Sequence, residues 1–407
     1  MELLPTFNQL MRHKTACLLL VLEIALSCAI ICNAVFIISN RVDELRLQSG
    51  VVDDALVYLS TSSLLPDVNY DALRLQDVRA LAALPGVKAA ASVNQIPYGG
   101  NVWGSDIRLQ ADQNRPTAHA SIYMDDGNLL QTYGLQVVEG RSFLPDEYID
   151  NSAFDPNKIG PTVPSVLLGR ALAQRLFPGE SAIGKRVYIW GEKQPPSTVV
   201  GVIKDLMAPG DSGTFANRFD SVIFPIRVSN GAYALRTTPD QRQQVLKAAV
   251  VALNQQDPNR IIEEQFTLEQ MREDFHRRDR SVIWLLLAVS AALLAVTAFG
   301  IMGLASFWVQ QRTRQIGIRR ALGATRTHIL RHFQLENLLL SCAGVVLGLL
   351  LAYALNMLLM ARYELQRLPL GYLPVAAVLL LLLGQLAVLG PARRAAAVPP
   401  AVATRAA

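Results

Sequence analysis

QQRTRQIGIRRALGATRTHILRHFQ, residues 310–334, carries six arginines, at 312, 314, 319, 320, 326 and 331, and no acidic residue. Ile316, Ile318, Leu322, Ile329, Leu330 and Phe333 are interleaved with them, so a helix through its second half has an apolar and a charged face. Taken alone, such a pattern suits nucleic acid, a lipid surface or a protein groove. Its flanks decide, because it lies between two long apolar runs.

The chain has 407 residues, 51% hydrophobic and 17% charged, with a mean hydropathy of +0.26. That is too apolar for an average soluble protein of this size and predicts a membrane protein with a sizeable soluble domain. Four apolar segments stand out, at residues 16–39, 281–309, 335–360 and 371–389. Each is near or above the roughly 20 residues a helix needs to cross the hydrocarbon core. The first follows Arg12 and Lys14 as an export signal would, but it is long and lacks a small-x-small cleavage site, so it reads as a retained anchor.

Orientation follows from where the basic residues sit. Placing Arg12, Lys14, the arginines of 310–334, and Arg393, Arg394 and Arg405 in the cytoplasm satisfies the positive-inside rule at every loop. The expected order is a cytoplasmic N-terminus (1–15), one crossing, an external region (40–280), three crossings and a cytoplasmic tail (390–407). The expected fold class is therefore four transmembrane helices with a large α+β periplasmic domain inserted between the first and second. A basic stretch held at the membrane surface is not expected to meet nucleic acid.

The external region is long enough for a core of its own. Its two ends, 41–49 and 268–280, are charged and helical in composition, and are expected to form stalks that extend the membrane helices outward. Inside, strands are expected at 55–59, 87–93, 105–110 and 118–124, with a helix at 73–83 stopped by Pro85-Gly86. A second strand, helix, strand unit covers 232–236, 242–253 and 261–266. Between them, about 140–225, a turn-rich stretch reads as an inserted subdomain, with strands at 166–168, 187–190 and 199–203 and a helix at 170–177.

Gly179 to Lys185, GESAIGK, matches the first seven places of the phosphate-loop pattern GxxxxGK[ST], but the eighth residue is Arg186. It offers no hydroxyl for Mg²⁺, and a helix precedes the segment where a strand is required. Gly184 is assigned to a turn and Lys185 to a solvated face. The four cysteines, at 17, 28, 32 and 342, all fall in apolar segments, which excludes a disulfide framework or thiolate metal site outside. His328 and His332 are four residues apart but have no third ligand in sequence. No catalytic, cofactor-binding or metal residue is expected, and no enzyme motif is present.

Two polar residues interrupt the first apolar segment, Glu23 and, ten residues on, Asn33, expected on roughly the same side of the helix. Such groups face a bundle interior or a partner rather than lipid. Glu336, at the start of the third segment, is expected to pair with Arg331 or Arg12. Gly344 and Gly348 form a small-xxx-small pair suited to close helix packing.

At four places the chain resembles the FtsX/MacB-type permeases of ATP-binding cassette systems, the type VII or mechanotransmission class. These are MRHKTACLLLVLEIALS (11–27), VEGRSFLPDE (138–147) with VLLGRALAQRLFPGESAIGKRVYIWG (166–191) and TVVGVIKDL (198–206), RTRQIGIRRALGATRTHILRHFQLE (312–336), and GPARRAA (390–396). Gln311 and Gln315 stand where the family commonly has glutamate. The resemblance implies a permease subunit that dimerises with itself or a second permease and binds a separate cytoplasmic ABC ATPase, which holds the ATP and Mg; this chain binds no cofactor. It places ATPase coupling on Arg314, Ile316, Gly317, Ile318, Arg319, Arg320, Leu322, Gly323, Ala324, Arg326 and Ile329, with Ile316, Ile318 and Leu322 filling a groove. It further implies a periplasmic adaptor and an outer-membrane channel, and export of a peptide, drug or other amphiphile. Lipoprotein release of the Lol kind, and signalling or control of a cell-wall hydrolase without transport, use the same membrane plan and remain as alternatives.

Overall fold

Four helices are long and apolar enough to cross a membrane: Lys14–Arg46, Arg277–Gln311, Arg326–Tyr363 and Leu373–Ala397. At 1.5 Å per residue even the last spans about 37 Å, more than the ~30 Å hydrocarbon core. The structure, a computed structural model, describes residues 14–65, 68–153, 163–189, 195–210, 217–363 and 369–397. Arg12 and Arg405, which help set the orientation, and Trp190, expected in a strand, lie outside the described residues. The chain divides into a membrane unit, Met1–Arg46 with Arg278–Ala407, and a periplasmic unit, Leu47–Arg277.

In the membrane unit the first and third helices pack most closely, and glycine is the reason. A Cβ at Gly348 would stand 2.5 Å from the Cβ of Cys28 and 2.7 Å from the carbonyl of Ala25, and one at Gly344 would stand 2.7 Å from the Cβ of Ile24. In lipid no hydrophobic force joins helices, so this close backbone approach supplies the attraction as van der Waals contact. The second helix is different. Only 6% of its apolar window is buried, against 44% for the first, and Trp284, Leu285 and Phe299 stand exposed. Arg41 and Asp279 join the outer ends of these two helices at 3.0 Å.

The periplasmic unit holds two sheets. The first is fully antiparallel, in the order Arg260–Thr267, Leu56–Ser63, Ala232–Arg236, Ala89–Ser92. Period-2 alternation buries both of its faces. Val57, Leu59, Tyr233 and Leu235 pack on the helices Tyr70–Ala82 and Arg242–Gln256, while Leu56, Tyr58, Ala232 and Ala234 face the second sheet. Each valine or leucine among them contributes about 1.5–3 kcal/mol when fully buried.

The second sheet runs Gly104–Ile107, Ala118–Met124, Ser221–Phe224, Ser165–Gly169, Ser197–Ile203, Val137–Gly140. It is therefore wider than the turn-rich stretch 140–225, because two strands expected in the first unit join its edge. Ser221–Phe224 lies in the middle of this sheet and was not expected from sequence. Only four residues long and followed by Pro225, it shows no alternation long enough to read.

Where the strand Ala118–Met124 ends, two adjacent carboxylates turn the chain into the helix Leu129–Tyr133. Asp125 accepts from the backbone N–H groups of Gly127 (2.8 Å) and Leu129 (2.9 Å) and from the Tyr148 hydroxyl (2.9 Å). Asp126 accepts from the N–H groups of Ser92 (2.8 Å) and Asn128 (2.9 Å). Burial pushes the pKa of both up, that of Asp126 to about 6.

Candidate functional site

The second membrane helix ends at Gln311, and Arg312, at φ −103° and ψ 9°, turns the chain into a short helix, Thr313–Ala321. Thr313 Oγ1 bonds back to the carbonyls of Val309 (3.0 Å) and Gln310 (2.9 Å), covering acceptors that a helix end leaves open. The short helix stops in a Schellman motif. Gly323, at φ +97°, donates its N–H to the Arg320 carbonyl (3.1 Å), and Ala324 donates to the Arg319 carbonyl (3.0 Å). Thr325 then accepts from the His328 N–H through Oγ1 (3.3 Å) and opens the third membrane helix. The run LGAT is thus a helix–turn–helix corner built by its own chemistry.

This short helix, the coupling helix that the resemblance implies, has two faces. Inward, Ile316 joins Ile329 and Phe333 of the third membrane helix and Ala392, Ala395 and Ala396 of the fourth in a small apolar cluster, with Gly317 buried beside it. Outward, Arg314, Ile318, Arg319, Leu322, Gly323 and Arg326 are exposed, Leu322 by 83% and Ile318 by 48%. Arg320 and Ala324 are half-buried. Of the three residues expected to fill a partner's groove, Ile318 and Leu322 are available, whereas Ile316, like Ile329, is turned into the protein. The cause is the alanine-rich end of the fourth helix, whose small side chains leave a floor on which an isoleucine fits.

Glu336 is 1% exposed and pairs with Arg312 at 2.7 Å, not with Arg331. Five residues of α-helix place Arg331 about 140° around the axis from Glu336, and its side chain is exposed. His332 Nε2 stands 3.7 Å from the same Glu336 oxygen. Among the described residues no group of three His, Cys, Asp or Glu side chains is placed to hold a metal ion.

Glu23 and Asn33 do not share a side. Ten residues leave a helix about 80° short of a whole number of turns, and the two residues meet different neighbours. Glu23 lies against Gly300 of the second helix, where a Cβ would stand 2.5 Å from its Oε2. Asn33 donates to the Ala352 carbonyl of the third helix (3.3 Å) and to its own Ala29 carbonyl (2.9 Å). One turn from Glu23, Ser27 bonds to Thr297 at 2.9 Å with both hydroxyls buried. That bond was missed from sequence, though Glu23 and Ser27 stand four apart, as do residues on one helix face.

Two family models cover most of the chain. The MacB-like periplasmic core domain matches residues 18–264, and the FtsX-like permease C-terminal region matches residues 287–400. The chain belongs to the FtsX/MacB-type permease family. Among its relatives, the pyoverdine export ATP-binding/permease protein PvdT of Pseudomonas fluorescens Pf-5 is 27% identical over 96% of this chain and 57% of its own length. The macrolide export ATP-binding/permease protein MacB of Rhodospirillum rubrum is 31% identical over 62% of this chain and 39% of its own. The uncharacterized ABC transporter permease YknZ of Bacillus subtilis is 22% identical over 68% and 64%. The chain thus spans little more than half the length of the PvdT relatives it matches.

In this FtsX/MacB-type permease, membership places the long inserted unit in the periplasm and the coupling corner in the cytoplasm of a multi-pass inner-membrane protein. The near-phosphate loop falls in the periplasmic unit, between the helix Arg170–Leu176 and the strand Arg186–Val187. Gly179 and Gly184 take positive φ there, and Lys185 pairs with Glu180 at 2.7 Å.

Proposed function

We propose that this permease works as the membrane subunit of an ABC export system and takes its energy from a separate ATPase seated on the coupling corner. The observation that carries the reading is the outer face of the coupling helix. Two large apolar side chains, Ile318 and Leu322, stand in water among Arg314, Arg319 and Arg326, on a helix whose other face is fixed to the bundle. Exposed apolar groups ringed by one charge mark a protein contact whose partner offers an apolar groove with an acidic rim. No acidic residue in 310–334 competes for that rim, since Gln311 and Gln315 are neutral.

Export as the direction of work is supported by the relatives named for pyoverdine and macrolide export, and the cargo is proposed as a peptide, drug or comparable amphiphile. The exposed length of the second membrane helix supports assembly with a second permease subunit. A periplasmic adaptor and an outer-membrane channel complete the proposal as a tripartite pump. The test is purification from native membranes in mild detergent with identification of every partner. The expected result is an ATPase subunit that is lost when Arg319 and Arg320 are both replaced by glutamate while membrane insertion is kept. Unchanged co-purification of that subunit with the double variant would sink the docking claim.

A further inference from the structure

Where the four membrane helices converge beside the coupling corner, a small cavity is lined by Leu20 of the first helix, Ile301 and Trp308 of the second, Glu336 and Asn337 of the third and Val388 of the fourth. Its polar groups are incompletely paired. Glu336 Oε1 accepts from Arg312, but Oε2 has no hydrogen-bond partner among the described residues, and neither do Trp308 Nε1 and Asn337 Nδ2 of the lining or Ser341 Oγ, one turn beyond Asn337 on the third helix. Glu336, Asn337 and Ser341 are 1%, 5% and 1% exposed. Gly384 of the fourth helix lies directly against two of these groups, since a Cβ there would meet Ser341 Oγ at 2.9 Å and Asn337 Nδ2 at 3.2 Å.

Buried polar groups are nearly always paired, and a half-paired set in a low dielectric is unfavourable enough to need a reason. Position supplies one. Arg312 is the residue at which the second membrane helix becomes the coupling helix, so its guanidinium moves with any tilt of that helix. It lies over the Trp308 ring at 5.8 Å, and its side chain is 12% exposed. The backbone connects the coupling helix to the second and third membrane helices only through its two ends, and Ile316 packs it against apolar side chains of the third and fourth. The ion pair adds a polar tie from the residue that starts the coupling helix to the third helix.

We propose that Glu336 is a positioning residue that passes movement of the coupling helix into the third membrane helix, through Arg312, and that its unpaired oxygen is the acceptor used when the pair rearranges. In the arrangement seen here Oε1 holds Arg312. When the coupling helix tilts, Oε2 takes donors from Trp308 and Asn337 as Arg312 shifts, so the joint has two hydrogen-bonded settings and not one rigid grip. The third helix then carries the movement outward, since its Gly344 and Gly348 hold it against the first. This inference rests on the reading that an ATPase drives the coupling corner.

The experiment uses the full chain purified with its ATPase, with Cys17, Cys28, Cys32 and Cys342 replaced by alanine and an environment-sensitive fluorophore on Asp43→Cys, an exposed site at the outer end of the first helix. ATP with Mg²⁺ is expected to change the fluorescence of this parent. Glu336→Gln and Arg312→Gln are each expected to reduce that change at least fivefold, with co-purified ATPase and its hydrolysis rate held within twofold. The exchange R312E/E336R is expected to restore at least half the amplitude, which a merely structural role would not produce. Full amplitude in the docked single variants would overturn the proposal, as would loss of the ATPase from them, which would make the pair part of docking. Should one variant fail to insert, the other decides on the same criteria. A parent that binds no ATPase or gives no ATP signal removes the proposed function itself, and shows this before any variant is compared.

Discussion

Among the described residues, two arginine–carboxylate pairs have both side chains largely buried, one in each unit, and they are built differently. In the periplasmic unit Arg260 and Asp77 are 1% and 0% exposed, and both carboxylate oxygens are engaged. Arg260 Nη2 donates to Oδ1 at 3.0 Å, the Tyr233 hydroxyl donates to Oδ2 at 2.6 Å, and Arg260 Nη1 stands 2.9 Å from Oδ2 as a charge contact without a hydrogen bond. This fixes the helix Tyr70–Ala82 to two strands of the first sheet at one point. In the membrane unit Arg312 and Glu336 share a single oxygen, and the second is left over. A carboxylate with both oxygens hydrogen-bonded holds one geometry; one with an oxygen left over has another within reach. The first is a lock, the second a joint.

The largest expected effect breaks the lock. Asp77→Asn must place an amide NH₂ where an oxygen now accepts, against Arg260 or Tyr233, and removes the charge that compensates a buried guanidinium. Breaking such a buried pair costs about 3–5 kcal/mol, read as the shift in denaturant unfolding of the full-length chain followed by near-UV circular dichroism. Replacing both partners, as in D77L/R260M, is expected to recover most of that loss, because no charge is then stranded. A loss below about 1 kcal/mol for Asp77→Asn would show that the pair is not a lock.

A pH titration tests the neighbouring carboxylates in the same unit. With the pKa of Asp126 raised to about 6 in the fold and near 3.9 when unfolded, the native state holds a proton between about pH 4 and 6 that the unfolded chain has lost. This group's stabilisation is therefore fully present below about pH 4 and is lost as pH rises through 6. The shift of about two units corresponds to ~3 kcal/mol. Asp126→Asn is expected to flatten this part of the stability profile, leaving the contribution of Asp125, whose pKa is raised in the same direction. An unchanged slope would show that Asp126 is ionised in the fold at pH 5.

Glu336→Gln supplies the direct counterpart to Asp77→Asn. Its amide can put NH₂ at the Oε2 position, which accepts no hydrogen bond among the described residues, while the carbonyl keeps the Arg312 bond. The stability loss is therefore expected to be about 1 kcal/mol, the value of weakening one charged hydrogen bond, measured by the same unfolding assay. Losses equal to those of Asp77→Asn would erase the distinction between lock and joint.

How much of this was readable from the chain depends on how far apart the partners lie. The four spans and the cytoplasmic place of 310–334 follow from composition and charge within single segments. The corner at Gly323 to Thr325 is also local, since glycine after a helix and threonine before the next are its ordinary chemistry. The inward turn of Ile316 depends on alanines at 392, 395 and 396, and the Arg312–Glu336 pair on a turn that brings two helices side by side. No periodicity within either segment records such contacts. The same holds for Glu23 and Asn33, whose separation along one helix says which way each points but not which helix stands there.

A third kind of pair completes the comparison and carries the smallest expected effect. Lys185 and Glu180 meet at 2.7 Å in the turn of the near-phosphate loop, with side chains 44% and 66% exposed. Water competes for both charges, and ordering two long side chains offsets what attraction remains. Lys185→Ala is therefore expected to leave the unfolding midpoint unchanged within error. ATP hydrolysis by the purified complex should also be unaffected, because a lysine in the periplasmic unit, on a turn that leads from helix to strand, cannot serve a cytoplasmic nucleotide. Loss of nucleotide binding by this variant would return GESAIGK to the list of functional motifs. A measurable fall in stability would show instead that burial of both partners is not what separates a lock from an incidental pair.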